Sequence, residues 1–294
     1  LVELPSFSSS EGSDIHAPAS KIPLVEYVQS NPQFHCGVVG MTSQSDDYDL
    51  TFLLKVLSVE KTLSIQAHPD KQLAAQLHTD HPEHYRDVNH KPEMAVALSD
   101  DFEALCGFQT IQTLSKHLHL YPELANIVGL ETADHVTEAA KAHLHHFPAK
   151  VLKRFFRAYM EAPAENIQPH LDDFVARLAE KSEQTEVERL CLRIAAQFPG
   201  DLGIFAPLIL NHIKLQKGQA IFIGPNEPHA YIQGDLLECM ACSDNVVRAG
   251  LTPKYKDVTT LVKMLTYDST KPTVLEGKPH RQQGTDDVDN DKCR

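Results

Sequence analysis

The sequence predicts a mainly β protein with a block of helices inserted into it, and three observations carry that prediction. Short runs that alternate polar and apolar residues lie on both sides of a central stretch. Within that stretch the apolar residues recur at helical spacing instead, and prolines and glycines punctuate the segments.

Residues 1–45 are rich in Ser, Pro and Gly, carry only brief apolar runs such as Leu24-Val25 and Val38-Val39, and define no element. β-like runs follow from Thr51 to Leu57 and from Lys61 to His68. In the second, Leu63, Ile65 and Ala67 point one way and Ser64, Gln66 and His68 the other, so one face is dry and the other carries chemistry. Between about Asp101 and Pro199 three apolar sets share helical spacing: Leu152, Phe155, Phe156, Tyr159; then Leu171, Phe174, Val175, Leu178; then Val187, Leu190, Cys191, Ile194. Pro163, Pro169 and Pro199-Gly200 are expected between or after these helices, because proline lacks the N–H a helix interior needs. Strand character resumes with Ala220 to Ile223, a Gly224-Pro225-Asn226 turn, His229 to Ile232, a Gly234-Asp235 turn and Leu236 to Met240. The expected organisation is therefore 1–100 and 201–265 as two parts of one β domain, 101–200 as an inserted helical domain, and 266–294 as a polar, frayed tail.

With 294 residues, 42% of them hydrophobic, the chain can bury a large core. Its net charge of -13 argues against nucleic acid or anionic membrane as partners, since its field repels both; an anionic ligand needs a local basic pocket. No run approaches the roughly 20 apolar residues that span a bilayer, and Leu1 to Asp14 lacks the pattern of a secretory signal. Cytoplasmic localisation, a monomeric state and reduced thiols for the six scattered cysteines are the expectations.

Four segments carry candidate chemistry: SIQAHPDK from Ser64, NHKPEMAVAL from Asn89, GPNEPHAYIQGDLLECMA from Gly224 and SDNVVRAGLTPKYKDV from Ser243. They offer Gln66, His68, Glu93 and His229 as imidazole, carboxylate and amide donors, a mixture that suits zinc or a similar divalent ion without a thiolate. Gln66 and His68 share a strand face roughly 7 Å apart. That spacing also fits any polar pair on a half-exposed strand.

These four strings, in this order and with a helical block between the second and third, resemble the type I phosphomannose isomerases from about Leu50 to Val262. The resemblance implies a cupin-type (jelly-roll) β core carrying a helical domain, in a form shortened at both ends with the family's second, C-terminal jelly-roll missing. It implies a zinc-dependent aldose-ketose isomerase that interconverts mannose 6-phosphate and fructose 6-phosphate through an enediolate, feeding GDP-mannose synthesis. One zinc ion per chain falls to Gln66, His68, Glu93 and His229, and the active-site arginine falls to Arg248. Glu238 is the candidate base, with Lys91 and His90 as competitors; Ser64 and Lys254 are the candidate phosphate contacts. The competing reading is a relative that binds zinc without turnover.

Other patterns carry less. His117, His119, His143, His145 and His146 crowd a helical region without acidic partners in register, and Cys239 and Cys242 have no partner C-x-x-C. Ser58-x-x-Lys61 and Ser243-Asp244-Asn245 imitate serine β-lactamase elements, but that chemistry needs its serine at a helix start and a later K-T-G.

Overall fold

The computed structural model describes residues 52–142 and 148–277, together with 2–3, 21–23, 26–27 and 30. Residues 1–53 and 54–294 form separate compact units. In the first, β1 (Val2–Glu3) pairs antiparallel with β2 (Lys21–Ile22).

The second unit is built on a nine-stranded sheet. Its strands are β3 (Phe52–Val59), β4 (Ile65–Ala67), β5 (Glu93–Ala97), β6 (Phe102–Phe108), β7 (Leu210–Leu215), β8 (Ala220–Ile223), β9 (His229–Ala241), β10 (Val247–Gly250) and β11 (Val274–Leu275). The long strand β9 organises the rest. Its first half lies between β4 and β6, and its second half pairs with β5 and β3. The sheet curls around a core in which the small side chains of Ala95, Ala97 and Ala104 face Phe102, Ile213, Leu215, Ile221 and Ile223. Alternating small and large residues let a small barrel close without voids.

Between β6 and β7 the chain makes a helical block: α2 (Ile111–Leu120), α3 (Pro122–Val128), α4 (Leu130–Lys141), α5 (Pro148–Met160), α6 (Ala164–Ala179), α7 (Glu186–Gln197) and the short α8 (Ala206–Ile209); α1 (Lys71–Asp80) precedes it and α9 (Val258–Met264) follows β10. The expected periodicities are the buried faces: Leu152, Phe155, Phe156 and Tyr159 on α5, Leu171, Phe174 and Leu178 on α6, and Leu190, Cys191 and Ile194 on α7. A capping box starts α7, with Thr185 Oγ1 accepting the Glu188 amide and Glu188 Oε2 accepting that of Thr185.

Four local expectations need correction. The stretch 102–108, placed with the helices, is strand β6, an almost wholly buried run between β7 and β9 whose continuous apolarity hides the strand period. Gly234-Asp235 does not break β9 into two strands; Gly234 adopts φ 98° within one continuous strand, where any Cβ would strike the Phe102 backbone. Pro169 sits inside α6, which persists because Leu171, Phe174 and Leu178 beyond it are anchored in the core. The tail from 266 is not wholly frayed, for Val274–Leu275 pairs with β8; residues 278–294, and the histidines at 143, 145 and 146, lie outside the described residues. Among the described residues no helix is long and apolar enough to cross a membrane.

Candidate active site

Strand β4 puts Gln66 at the centre of a cross-strand row, with His229 of β9 on one side and Arg248 of β10 on the other. Ile65 and Ala67 turn outward into the core shared with the helices, which leaves Gln66 and, two residues on, His68 on the inner face. Glu93 opens β5 and completes a cluster in which ligand-capable atoms of His68, Glu93 and His229 all lie within 4.8 Å of one another. Each of the three residues is 1% exposed.

The hydrogen-bond pattern of this cluster is its main chemical feature. His68 Nδ1 lies 2.7 Å from the carbonyl oxygen of Asn245, and His229 Nδ1 lies 3.0 Å from that of Glu227. A carbonyl only accepts, so both Nδ1 atoms carry hydrogen, and Nε2 is the nitrogen whose lone pair each ring can offer. Those lone pairs point at the carboxylate: His68 Nε2 is 3.2 Å from Glu93 Oε1, and His229 Nε2 is 3.3 Å from Oε2. His68 Nε2, Glu93 Oε1 and His229 Nε2 accordingly have no hydrogen-bond partner. Burial pushes the His68 pKa down and keeps the ring neutral.

Two buried imidazole nitrogens, His68 Nε2 and His229 Nε2, converge on the Glu93 carboxylate with no donor of their own, at a cost of about 1–3 kcal/mol each. A divalent cation among them reverses that cost, since zinc bound by such donors returns on the order of 10 kcal/mol. The residues therefore fit the ion. Gln66, on the same strand face as His68, is registered directly opposite His229.

The remaining expected residues surround this centre unequally. Lys91 Nζ is 3.2 Å from Glu93 Oε1. Glu238 is buried on the inward face of β9, registered opposite Ala95 and paired with Lys55 Nζ at 3.1 Å. Lys91, Arg248 and Lys254 line one cavity of about 520 Å³, which Ser64 and His90 do not line. A larger cavity of about 760 Å³ lies beside α1 and α9, and no member of the His68–Glu93–His229 cluster lines either cavity.

Several residues escaped the sequence reading. Tyr231 follows His229 by two positions on β9, and its hydroxyl reaches Glu93 Oε2 at a long 3.4 Å. Burial, with the Glu93 and Glu238 carboxylates nearby, raises its pKa far above normal, so it remains a donor; strand alternation from His229 would have found it. Lys55 was hidden in β3, where Leu53, Lys55 and Leu57 face inward while Leu54 and Val56 are exposed. Arg86 lines the cavity beside Arg248 and Lys254, and among the described residues no ion pair engages these three cations. The decoy patterns fall away: Ser58 lies within a strand, and among the described residues neither His117 nor His119 joins a group of three potential metal donors.

Comparison with known proteins points one way. The catalytic-domain model of the type I phosphomannose isomerases matches residues 13–111, and that family's helical-insertion model matches residues 127–210. A mannose-6-phosphate isomerase of Candida glabrata is 41% identical over 279 residues, covering 91% of this chain and 65% of the relative. Mannose-6-phosphate isomerase 1 of Arabidopsis thaliana is 45% identical over 232 residues, covering 78% and 53%. A crystal structure of the Salmonella typhimurium mannose 6-phosphate isomerase, bound to fructose 6-phosphate and zinc, superposes with a TM-score of 0.69 at 32% identity, covering 85% of this chain and 62% of that one. The chain thus spans between about half and two thirds of the length of these relatives.

Proposed function

The chain belongs to the type I phosphomannose isomerases, and from that premise we propose that it interconverts mannose 6-phosphate and fructose 6-phosphate at a single zinc held by Gln66, His68, Glu93 and His229. The observation that carries the reading is the buried convergence of His68, Glu93 and His229, with the Nε2 atoms of both histidines left without a partner. Bound zinc supplies Lewis acidity toward the substrate's carbonyl and neighbouring hydroxyl oxygens.

The chain's own groups supply the rest. Converting the aldose to the ketose takes a proton from carbon 2 and delivers one to carbon 1, while the hydroxyl proton passes from oxygen 2 to oxygen 1. Glu238 is the proposed shuttle between the carbons: it faces the interior next to Tyr231, with Lys55 Nζ 3.1 Å from its carboxylate. Lys91, beside Glu93, is the competing candidate. Arg248, in the row beside Gln66, faces the oxygen on which negative charge grows. Lys254 and Arg86 meet the phosphate, which a protein of net charge -13 accommodates only where unpaired cations converge. Ser64, on the face shared with Gln66, is the remaining phosphate candidate.

A coupled isomerase assay on this chain tests the proposal. Turnover that disappears on chelation and returns with zinc is expected. Tight zinc binding without turnover would favour the non-catalytic relative, and absence of bound metal would overturn the centre itself.

A further inference from the structure

Asp87 lies outside both the metal cluster and the cavity lining, yet it gathers more hydrogen bonds than any site residue. Its Oδ1 accepts from Ser243 Oγ at 2.9 Å, the Asn89 amide at 2.8 Å and Asn245 Nδ2 at 3.3 Å; its Oδ2 accepts from the Asp244 amide at 2.7 Å. The Asp87 carbonyl also accepts from Asn245 Nδ2, at 2.6 Å. These partners fix the stretch 243–246, which has no regular secondary structure of its own. Within it Asn245 is fully buried, and its carbonyl is the acceptor of the His68 Nδ1 hydrogen.

We infer that Asp87 is a positioning residue for His68: by anchoring residues 243–245 it holds the Asn245 carbonyl where it sets the tautomer and aim of that imidazole toward the metal. Every partner of the carboxylate is a donor, so two anionic oxygens are required. An asparagine of nearly the same shape would offer one oxygen and set an N–H₂ against donors. Asp87 and the Asn89 carbonyl, which accepts from Asn245 Nδ2 and shares the one Ser243 hydroxyl hydrogen with Asp87, together join the chain entering Lys91 and Glu93 to the chain entering Arg248. This inference rests on the zinc reading above, and partners that orient a ligating histidine are worth about 10–100-fold in metal affinity.

The test is zinc affinity, measured by competition with a chelating dye, for wild type, Asp87→Asn and the control Arg177→Ala. The control breaks a bidentate pair with Glu123 in the helical block, at 2.6 and 2.7 Å, and so perturbs stability away from the site. Asp87→Asn should bind zinc about 10-fold more weakly. In the metal-free protein, long-range proton–nitrogen spectra of its His68 ring should lose the purely Nδ1-protonated signature. Arg177→Ala should lower the melting temperature and leave both readouts alone. Wild-type affinity in Asp87→Asn, or a loss no larger than that of Arg177→Ala, overturns the inference while leaving the proposed function standing; a wild type that binds no zinc overturns both. If Asp87→Asn does not fold, Ser243→Ala, which removes one anchor, should weaken zinc about 3-fold, and unchanged affinity there is equally fatal to the inference.

Discussion

Glu93, on the inner face of the sheet, and Glu103, on the face toward α7, are both carboxylates flanked by histidine, and they do opposite things. Glu103, on β6, is saturated: Arg193 donates to it, His212 Nε2 bonds it at 3.2 Å, and Lys214 lies 3.9 Å away. Burial raises its pKa, but the His212 and Arg193 hydrogen bonds outweigh that and bring it down to about 2. The cluster ties α7 to the sheet and has no spare valence. At Glu93 the histidines have spent their donors on backbone carbonyls, and what faces the carboxylate is more lone pair. The difference lies in which ring nitrogen the backbone claims. A histidine held through Nδ1 while a carboxylate and a second imidazole converge on its Nε2 is set up to bind a cation, whereas His212, with Glu186 3.5 Å from Nδ1 and Glu103 at Nε2, is a structural clamp.

The contrast breaks most sharply at His229. Replacing it with alanine should lower zinc affinity by more than about 100-fold, because a ligand is worth more than the partner that orients one; metal analysis and the coupled assay should fall together. In wild type, chelating a zinc present at a thousandfold excess over its Kd removes about 4 kcal/mol, or on the order of 10 °C in Tm. His229→Ala should show no such shift, and a variant that keeps its metal would end the distinction between the two carboxylates.

Arg248→Ala should reduce kcat by about 100-fold or more with little change in KM, as expected for a group that meets charge only in the transition state. If turnover at saturating substrate survives and only apparent affinity falls, Arg248 belongs with the phosphate contacts. Lys254→Ala and Arg86→Ala should do the reverse, each raising KM by about 10-fold while kcat holds, the worth of one charge-assisted hydrogen bond. A drop in kcat at constant KM would remove them from phosphate binding.

The smallest effect belongs to the saturated cluster. Glu103→Gln should cost about 2 kcal/mol by leaving Arg193 short of its partner, with zinc content unchanged. The sign of its pH dependence follows from the depressed pKa: the contribution is present above about 4.5, where the unfolded carboxyl is also ionised. It is lost as pH falls through about 2, where the folded carboxyl takes its proton. Thermal melts of wild type should therefore lose ground to those of Glu103→Gln across that window. Parallel curves would show that the pair does not stabilise the fold.

How far the site could be read from the chain depends on what each residue contributes. Gln66 and His68 were legible because strand alternation is a property of the sequence, and the helical faces around Phe155, Phe174 and Ile194 were legible for the same reason. Strand β6 was not, because a run buried on both faces has no period to read. Asn245 acts on His68 through its backbone carbonyl, which no side chain advertises. Arg86 and Lys55 reach the site only because α1 and its following loop, and strand β3, close around it. Tertiary closure is invisible to local pattern. The resemblance supplied the pairing of Glu93 with His229 across 135 intervening positions, and the geometry supplies its physical reason.

The most direct test of the whole account is a crystal of the zinc-soaked chain with data collected across the zinc absorption edge. The account predicts one anomalous peak about 2.0–2.2 Å from His68 Nε2, His229 Nε2 and a Glu93 oxygen, with the Gln66 amide oxygen completing the set. A cluster that stays dry and empty at saturating zinc, with the ion bound elsewhere or not at all, would contradict it.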